Sequence, residues 1–319
     1  METVLVRHEF KFVSDFLNSA EFSVIPLDGD VSHRIFFRVK TSSQSYVLMR
    51  SLDISIVPYV EIAQFLLPSD IRVPRIFASS KSLGLVLMED GGDVLLQTLA
   101  ASPEEKLFTC YKKVLDQLVK LQLLNTNQTP LYSYFEDNKF TSDLFYKELL
   151  FTEEYLLHHE LHLDFDAESY RLECRKLSDS LITMPFKLTH RDFHSRNILI
   201  NNDAPLLLDF QDTRLGPYFY DATSLIEDSY VNLPKPFRTR LLHYYLVISQ
   251  TPYSLVDYSA TQLQRSLKAA GTFAYAKVKK NTSYYLQYLP TVLNFAAEAV
   301  QPLAEEYPLI TKLLEDISE

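Results

Sequence analysis

Residues 187–209 constrain the rest of the chain most tightly, because they form a short β-like island in a stretch that otherwise reads as helical. Two apolar runs, 187–200 and 206–209, flank a turn at Asn201-Asn202-Asp203-Ala204-Pro205, the pattern of a β-hairpin. Inside the first run lies a polar interruption, His190-Arg191-Asp192-Phe193-His194-Ser195-Arg196-Asn197, and the second run ends on Asp209. Reduced to its reactive groups this is H-x-D-x-x-x-x-N, followed seventeen positions after Asp192 by another carboxylate.

The flanking sequence divides in texture. The first ninety residues read as β-rich: strands at 35–40 and 45–50 around the polar turn Thr41-Ser42-Ser43-Gln44, then a helix at 58–67 opened by Pro58. Pro68 and Pro74 punctuate the passage to a further strand at 83–88. Glu89-Asp90-Gly91-Gly92 ends that strand as a hinge, which places a domain boundary there: 1–90 as a small β-rich lobe and 91–319 as a larger one. Beyond it, Ser102-Pro103-Glu104-Glu105 predicts a capped helix start, with Leu107, Tyr111, Val114, Leu118 and Leu121 as its buried stripe. Further helices are expected at 142–159, 236–249, 261–278 and 291–303. The fold class is therefore α+β, a small sheet lobe followed by a mainly helical lobe with an embedded hairpin.

Several classes are excluded. The chain of 319 residues holds six glycines, and no spacing among them gives G-x-G-x-x-G or G-x-x-x-x-G-K, so neither a Rossmann dinucleotide site nor a P-loop is present. A net charge of -10 argues against a nucleic-acid partner. Cys110 and Cys174 are far apart and read as buried free thiols of a reducing compartment. Residues 1–12 lack an apolar signal region and no apolar run approaches a membrane span, so a cytoplasmic protein is expected. His158 and His162 share a helical face but miss the H-E-x-x-H spacing, and no third metal ligand accompanies them.

Phosphoryl transfer needs the set of groups that the island carries. One carboxylate must orient the attacking hydroxyl and take its proton, while an amide oxygen and a second carboxylate hold the magnesium that bridges the ATP phosphates. Asp192 suits the first role; Asn197 and Asp209 suit the second. The segment resembles the catalytic core of the aminoglycoside phosphotransferase/choline kinase superfamily, in which H-x-D-x-x-x-x-N is the catalytic loop. Asp209-Phe210-Gln211-Asp212-Thr213-Arg214-Leu215-Gly216-Pro217, Tyr220-Asp221 and residues 224–230 look like one branch of it, as do residues 30–39, Gln264-Arg265-Ser266-Leu267-Lys268, Gly271 and Phe273. That branch comprises bacterial kinases that phosphorylate N-acetylmuramate and N-acetylglucosamine at C1 in cell-wall recycling.

The resemblance implies a bilobal protein-kinase-like fold, ATP as co-substrate with Mg2+, and a small sugar as acceptor. It implies that His190 and Asp221 brace the catalytic loop, and that Asp212 and Arg214 face the acceptor. Arg196 is open between a phosphate or substrate contact and a structural ion pair. Nucleotide contacts would come from Ser32 in a phosphate turn at 28–34 and from the hinge with Glu89 and Gly91. A uridylyltransferase acting on the product is implied in the same way. The chain departs from kinase-like folds on its third strand, where the usual Lys is replaced by Met49 or, one place along, by Arg50. If Arg50 faces the cleft it would serve the nucleotide phosphates with Glu61 as its partner, and if Met49 does, the nucleotide is held from elsewhere. Other acceptors of the superfamily (choline, ethanolamine, an aminoglycoside) and a catalytically inactive nucleotide-binding module remain alternatives at this stage.

Overall fold

The two strands expected around Thr41–Gln44 form because a four-residue turn closes on itself there. The Thr41 N–H donates to the Gln44 carbonyl at 2.9 Å, and the Thr41 hydroxyl oxygen accepts the Gln44 N–H at 3.0 Å. The computed structural model describes residues 5–27, 34–52 and 55–318. The chain divides into two compact units, Met1–Val94 with Leu199–Asp212, and Leu95–Ile198 with Thr213–Glu319.

The first unit opens with helix α1 (Arg7–Leu17) and strands β1 (Ser23–Leu27), β2 (Arg34–Lys40) and β3 (Ser45–Ser51). Helix α2 (Val57–Leu66) and strands β4 (Ile76–Ser80) and β5 (Leu85–Glu89) follow, giving an antiparallel sheet of order β1-β2-β3-β5-β4. Strand alternation separates its two faces. Phe37, Val39, Tyr46, Leu48, Leu85 and Leu87 form a buried cluster with Val13 of α1. The opposite face, carrying Met49 and Met88, meets α2, where the Tyr59 hydroxyl donates to the Met88 sulfur at 3.1 Å. Helix α1 and strands β1 and β4 are additional to the elements expected from the sequence.

The boundary expected at residue 90 is corrected. Residues 199–212 belong with the sheet unit: the Ile200 N–H donates to the Val94 carbonyl at 2.7 Å and the Leu207 N–H to the Arg72 carbonyl at 2.8 Å. Gly91 permits that approach, since a Cβ there would lie 2.5 Å from Leu206 and 2.7 Å from Leu199.

The expected hairpin also resolves differently, into two separate strand pairs. Strand β6 (Phe186–Thr189) pairs with β9 (Arg214–Pro217), while β7 (Ile198–Asn201) pairs with β8 (Ala204–Leu207). The turn between β7 and β8 is tighter than expected because Asn202 and Asp203 both adopt positive φ, 50° and 57°, as a two-residue hairpin requires.

The second unit is mainly helical: α3 (Glu104–Gln122), α4 (Tyr132–Asp137), α5 (Ser142–Thr152), α6 (Ala167–Ile182), α7 (Tyr220–Ile226), α8 (Lys235–Ser249), α9 (Leu255–Lys280), α10 (Leu289–Val300) and α11 (Pro308–Ser318). The stripe Leu107, Tyr111, Val114, Leu118 and Leu121 of α3 is buried. Helix α3 starts one residue late, at Glu104 with Pro103 as its cap residue, because the Ser102 N–H already closes the preceding turn on the Leu99 carbonyl. The expected helix 142–159 ends at Thr152 and continues as a π-helical segment, Glu153–Glu160. Cys110 and Cys174 are buried free thiols.

Helix α9 passes α5 at close range through Gly271, where an added Cβ would stand 2.6 Å from the Thr152 hydroxyl and 2.8 Å from its Cα. Gly271→Ala gains about 1 kcal/mol in helix propensity but forces two backbones apart, which costs about 1–3 kcal/mol. We expect a lower urea midpoint for this variant; an unchanged or higher one would show that α9 can back away from α5 freely.

Candidate active site

A loop between strands must find partners for backbone donors that no ladder serves. Between β6 and β7, carboxylates supply them. Asp221, fully buried on α7, accepts the N–H groups of His190 and, at 3.0 Å, of Arg191. Asp228, just past α7, accepts the Ser195 N–H at 2.8 Å and the Tyr230 N–H at 2.8 Å. Arg191 is held at φ 81°, a left-handed conformation that non-glycine residues seldom adopt and that clusters at functional sites. The Asn197 amide closes the loop by donating to the Asp192 carbonyl at 3.0 Å. The His190 ring packs edge-on against Phe193 at 5.6 Å, and its backbone, through Asp221, ties the loop to α7.

Asp192 is half-buried with its carboxylate toward α9. Lys268 Nζ stands 3.9 Å from Asp192 Oδ1 and 3.7 Å from Glu148 Oε1 on α5. Arg265, one turn earlier, donates to the Tyr220 hydroxyl at 2.7 Å and lies 4.5 Å from the Tyr220 ring centroid. Burial alone would push the Asp192 carboxyl up; Lys268, Arg191 and Arg265 outweigh it and hold the group well below the usual carboxylate range. Asp221 shows the opposite balance: burial pushes it up to about 7 against the pull of its two backbone donors and Arg265. Asp192, Tyr230, Arg265, Lys268 and Phe273 line a cleft in this unit.

The remaining expected residues are placed as follows. Arg196 stacks over Tyr230, Tyr284 and Tyr285 at 4.9, 5.7 and 5.6 Å, so its guanidinium sits in an aromatic nest. Arg214, the first residue of β9, lies over Phe140 at 5.7 Å. Asp212 is half-buried at the end of the turn Phe210–Asp212, in the first unit.

Asp209 also belongs to the first unit. It follows β8 by two residues and takes φ 57°. Its Oδ1 accepts Gln211 Nε2 at 2.9 Å and Arg34 Nη1 at 3.2 Å. Arg50 is corrected: it pairs with Glu9 of α1 at 2.8 Å, not with Glu61, and lies 5.2 Å from the Phe37 ring on the α1 face of the sheet. Met49 therefore points to the other face. The Glu89 N–H donates to the Arg75 carbonyl at 2.8 Å, its carboxylate accepts the Arg75 N–H at 3.2 Å, and the Gly91 carbonyl accepts Asn201 Nδ2 at 3.3 Å. Ser32 and the rest of the proposed phosphate turn through residue 33 lie outside the described residues. Asp228, Lys268 and Glu148 carry roles at this site that sequence reasoning did not assign; for Lys268 the signal was its i,i+3 spacing from Arg265.

The profile of the phosphotransferase enzyme family matches residues 23–258, most of the chain. The chain belongs to this family. It is similar to the N-acetylmuramate/N-acetylglucosamine kinases of Pseudomonas putida, at 30% identity over 91% of this chain and 88% of that one, and of Pseudomonas aeruginosa, at 29% over 87% and 83%. Among solved structures, an ADP-bound aminoglycoside phosphotransferase superposes with a TM-score of 0.63 over 92% of this chain and 99% of that one, at 17% identity. A Plasmodium vivax ethanolamine kinase does so with 0.64 over 91% and 84%, at 14% identity. This phosphotransferase thus has the expected α+β fold and is an ATP-dependent kinase with a hydroxyl acceptor. Among its described residues no helix is long and apolar enough to cross a membrane.

The ionised state of Asp192 gives a direct test of the α9 cations. In Lys268→Met the Asp192 carboxyl should titrate at higher pH than in the wild type. Carboxyl carbon-13 NMR, with Asp192→Asn identifying the resonance, reads this; an unmoved titration would mean that Lys268 does not act on Asp192.

Proposed function

We propose that this phosphotransferase transfers the γ-phosphoryl group of ATP to the anomeric hydroxyl of N-acetylmuramate or N-acetylglucosamine. The observation that carries the reading is the likeness, over nearly the whole chain, to three kinases named for these two sugars. The electrostatics of Asp192 support it. An anomeric hydroxyl is more acidic than an ordinary alcohol, so a carboxylate of low basicity serves it adequately and positioning dominates.

In this mechanism Asp192 accepts a hydrogen bond from the anomeric hydroxyl and orients its oxygen. The new O–P bond forms as the bond from the γ-phosphorus to the β–γ bridging oxygen breaks, ADP leaves, and the hydroxyl proton passes to Asp192. Asp221 and Asp228 keep the loop backbone fixed while this happens, and His190 serves as part of the same brace. Arg196, Asp212 and Arg214 remain assigned to the acceptor in this reading. The donor set fits Mg2+: Asn197 offers an amide oxygen and Asp209 a carboxylate, the hard ligands this ion takes, and among the described residues Arg34 and Gln211 both meet Asp209 at Oδ1. Bound there, Mg2+ would neutralise charge on the ATP phosphates.

A cationic acceptor such as choline is less well supported. Two acids of the cleft wall are already engaged, Glu227 by Arg238 and by the Tyr258 hydroxyl at 2.8 Å, and Asp228 by backbone donors. The decisive assay supplies ATP and MgCl2 with N-acetylmuramate, N-acetylglucosamine, N-acetylglucosaminitol, choline and kanamycin. Phosphorus NMR should show a sugar 1-phosphate, no reaction of the open-chain alditol, and a loss of about 10²- to 10⁴-fold in kcat for Asp192→Asn. Phosphorylation at another hydroxyl, turnover of choline or kanamycin alone, or ATP binding without turnover would overturn the reading.

A further inference from the structure

The sheet of the first unit presents a problem for ATP binding: the third strand, β3, offers Met49 where a cation is usual, and the neighbouring Arg50 is spent on Glu9 under α1. The cation that meets the nucleotide phosphates must share the face of Met49. Register identifies the candidates, because Phe36 pairs with Met49 and Arg38 with Val47, so Arg34, Phe36, Arg38 and Lys40 of β2 lie on that face. Lys40 ends the strand opposite Ser45, at the far end from Arg34, and is exposed. Arg38 is locked away from it by the Asp90 carboxylate, at 2.7 and 3.0 Å, and by Asp93 at 2.8 Å. Arg34 instead reaches Asp209, at 3.2 Å. Tyr59, which packs on Met88 and lies against Phe210 with ring centroids 4.5 Å apart and planes tilted by 40°, feels both charges: Arg34 and Asp209 act on its hydroxyl, which burial pushes up.

We propose that Arg34 is the phosphate-binding cation of this enzyme, taking from β2 the task that β3 leaves undone. The assignment rests on the kinase reading above only in that Asp209 is the carboxylate at which the phosphates and their cation gather. A guanidinium suits the task because its planar fork can hold two phosphate oxygens at once. The same guanidinium faces Asp209 through Nη1 at 3.2 Å, so phosphates gathered at that carboxylate would lie within reach of one preorganised charge. Arg34 begins β2, where the ladder fixes its backbone against Ser51, and its side chain is mostly buried, 14% exposed, so the group is preorganised rather than free to roam.

The test reads binding, not turnover. Calorimetric titration of wild type, Arg34→Met, Arg34→Lys and the double variant Arg34→Met/Met49→Lys with ATP and with adenosine, in MgCl2 and in EDTA, separates the possibilities. Arg34→Met should weaken ATP about 10- to 100-fold while leaving adenosine unchanged, and the loss should persist in EDTA. Arg34→Lys should keep part of the affinity, and Met49→Lys should restore part of it in the double variant, since residue 49 lies on the same face. ATP binding within twofold of wild type in Arg34→Met overturns the proposal. So does an equal loss of adenosine affinity, which would mean general damage to the sheet. A loss that vanishes in EDTA also overturns it, because Arg34 would then act only through Asp209 and its metal. These outcomes do not depend on which acceptor is phosphorylated: failure of every amino sugar would sink the acceptor reading and leave this result standing.

Discussion

Two buried carboxylates on and just beyond α7 hold the loop that carries Asp192, and the rest of the site depends on them. A charge buried without partners is among the costliest features a fold can carry, so each such carboxylate must be matched by donors. Here the donors are backbone N–H groups of the loop and of the turn after α7, four of which converge on Asp221 and Asp228. The arrangement satisfies acid and backbone together. It also fixes Arg191 in a left-handed conformation that the loop alone would abandon. Because every residue of α7 is buried, the anchor itself has nowhere to move.

The second dependence is on α9. A helix brings residues three apart onto one side, and α9 uses this to aim Arg265 and Lys268 toward Asp192 from a single rigid element. Their roles differ. Arg265 is pinned by the Tyr220 hydroxyl and ring, so its charge is a fixed background; Lys268 lies between Asp192 and Glu148 and shares its charge between them. The close passage of α9 at Gly271 sets how near those cations stand. Fold packing and the protonation state of Asp192 are in this way one constraint.

Much of this was legible in the sequence, and the reasons for the rest are physical. The β2–β3 hairpin, the α3 stripe, and the loop from His190 to Asn197 were readable because each is encoded locally, in alternation, helical period or a chemical motif. The pairing of β6 with β9 was not, because residues 214–217 are a four-residue strand, too short for a period to declare itself, whose partners lie 25 to 31 positions away. The role of Asp228 was hidden for a similar reason: an acid that accepts backbone N–H groups leaves no signature at its partners, whose side chains are irrelevant to the bond. Residues 199–212 looked like part of the helical lobe because they follow it in the chain, whereas backbone bonds to Val94 and Arg72 bind them to the sheet.

The parity of β3 shows the limit most sharply. Alternation guarantees that Met49 and Arg50 face opposite ways, yet nothing in the strand itself says which way is which. The answer comes from forty residues earlier, where Glu9 of α1 is fully buried and pairs with Arg50. The same carboxylate accepts the Val6 N–H at 2.9 Å at the start of α1, so one acid caps the helix and ties it to the sheet. Such a pair adds little net stability, since desolvating both ions offsets their attraction. What it contributes is register: with Arg50 committed beneath α1, the sheet can place α1 on only one face. Any cation for the other face must then come from a different strand.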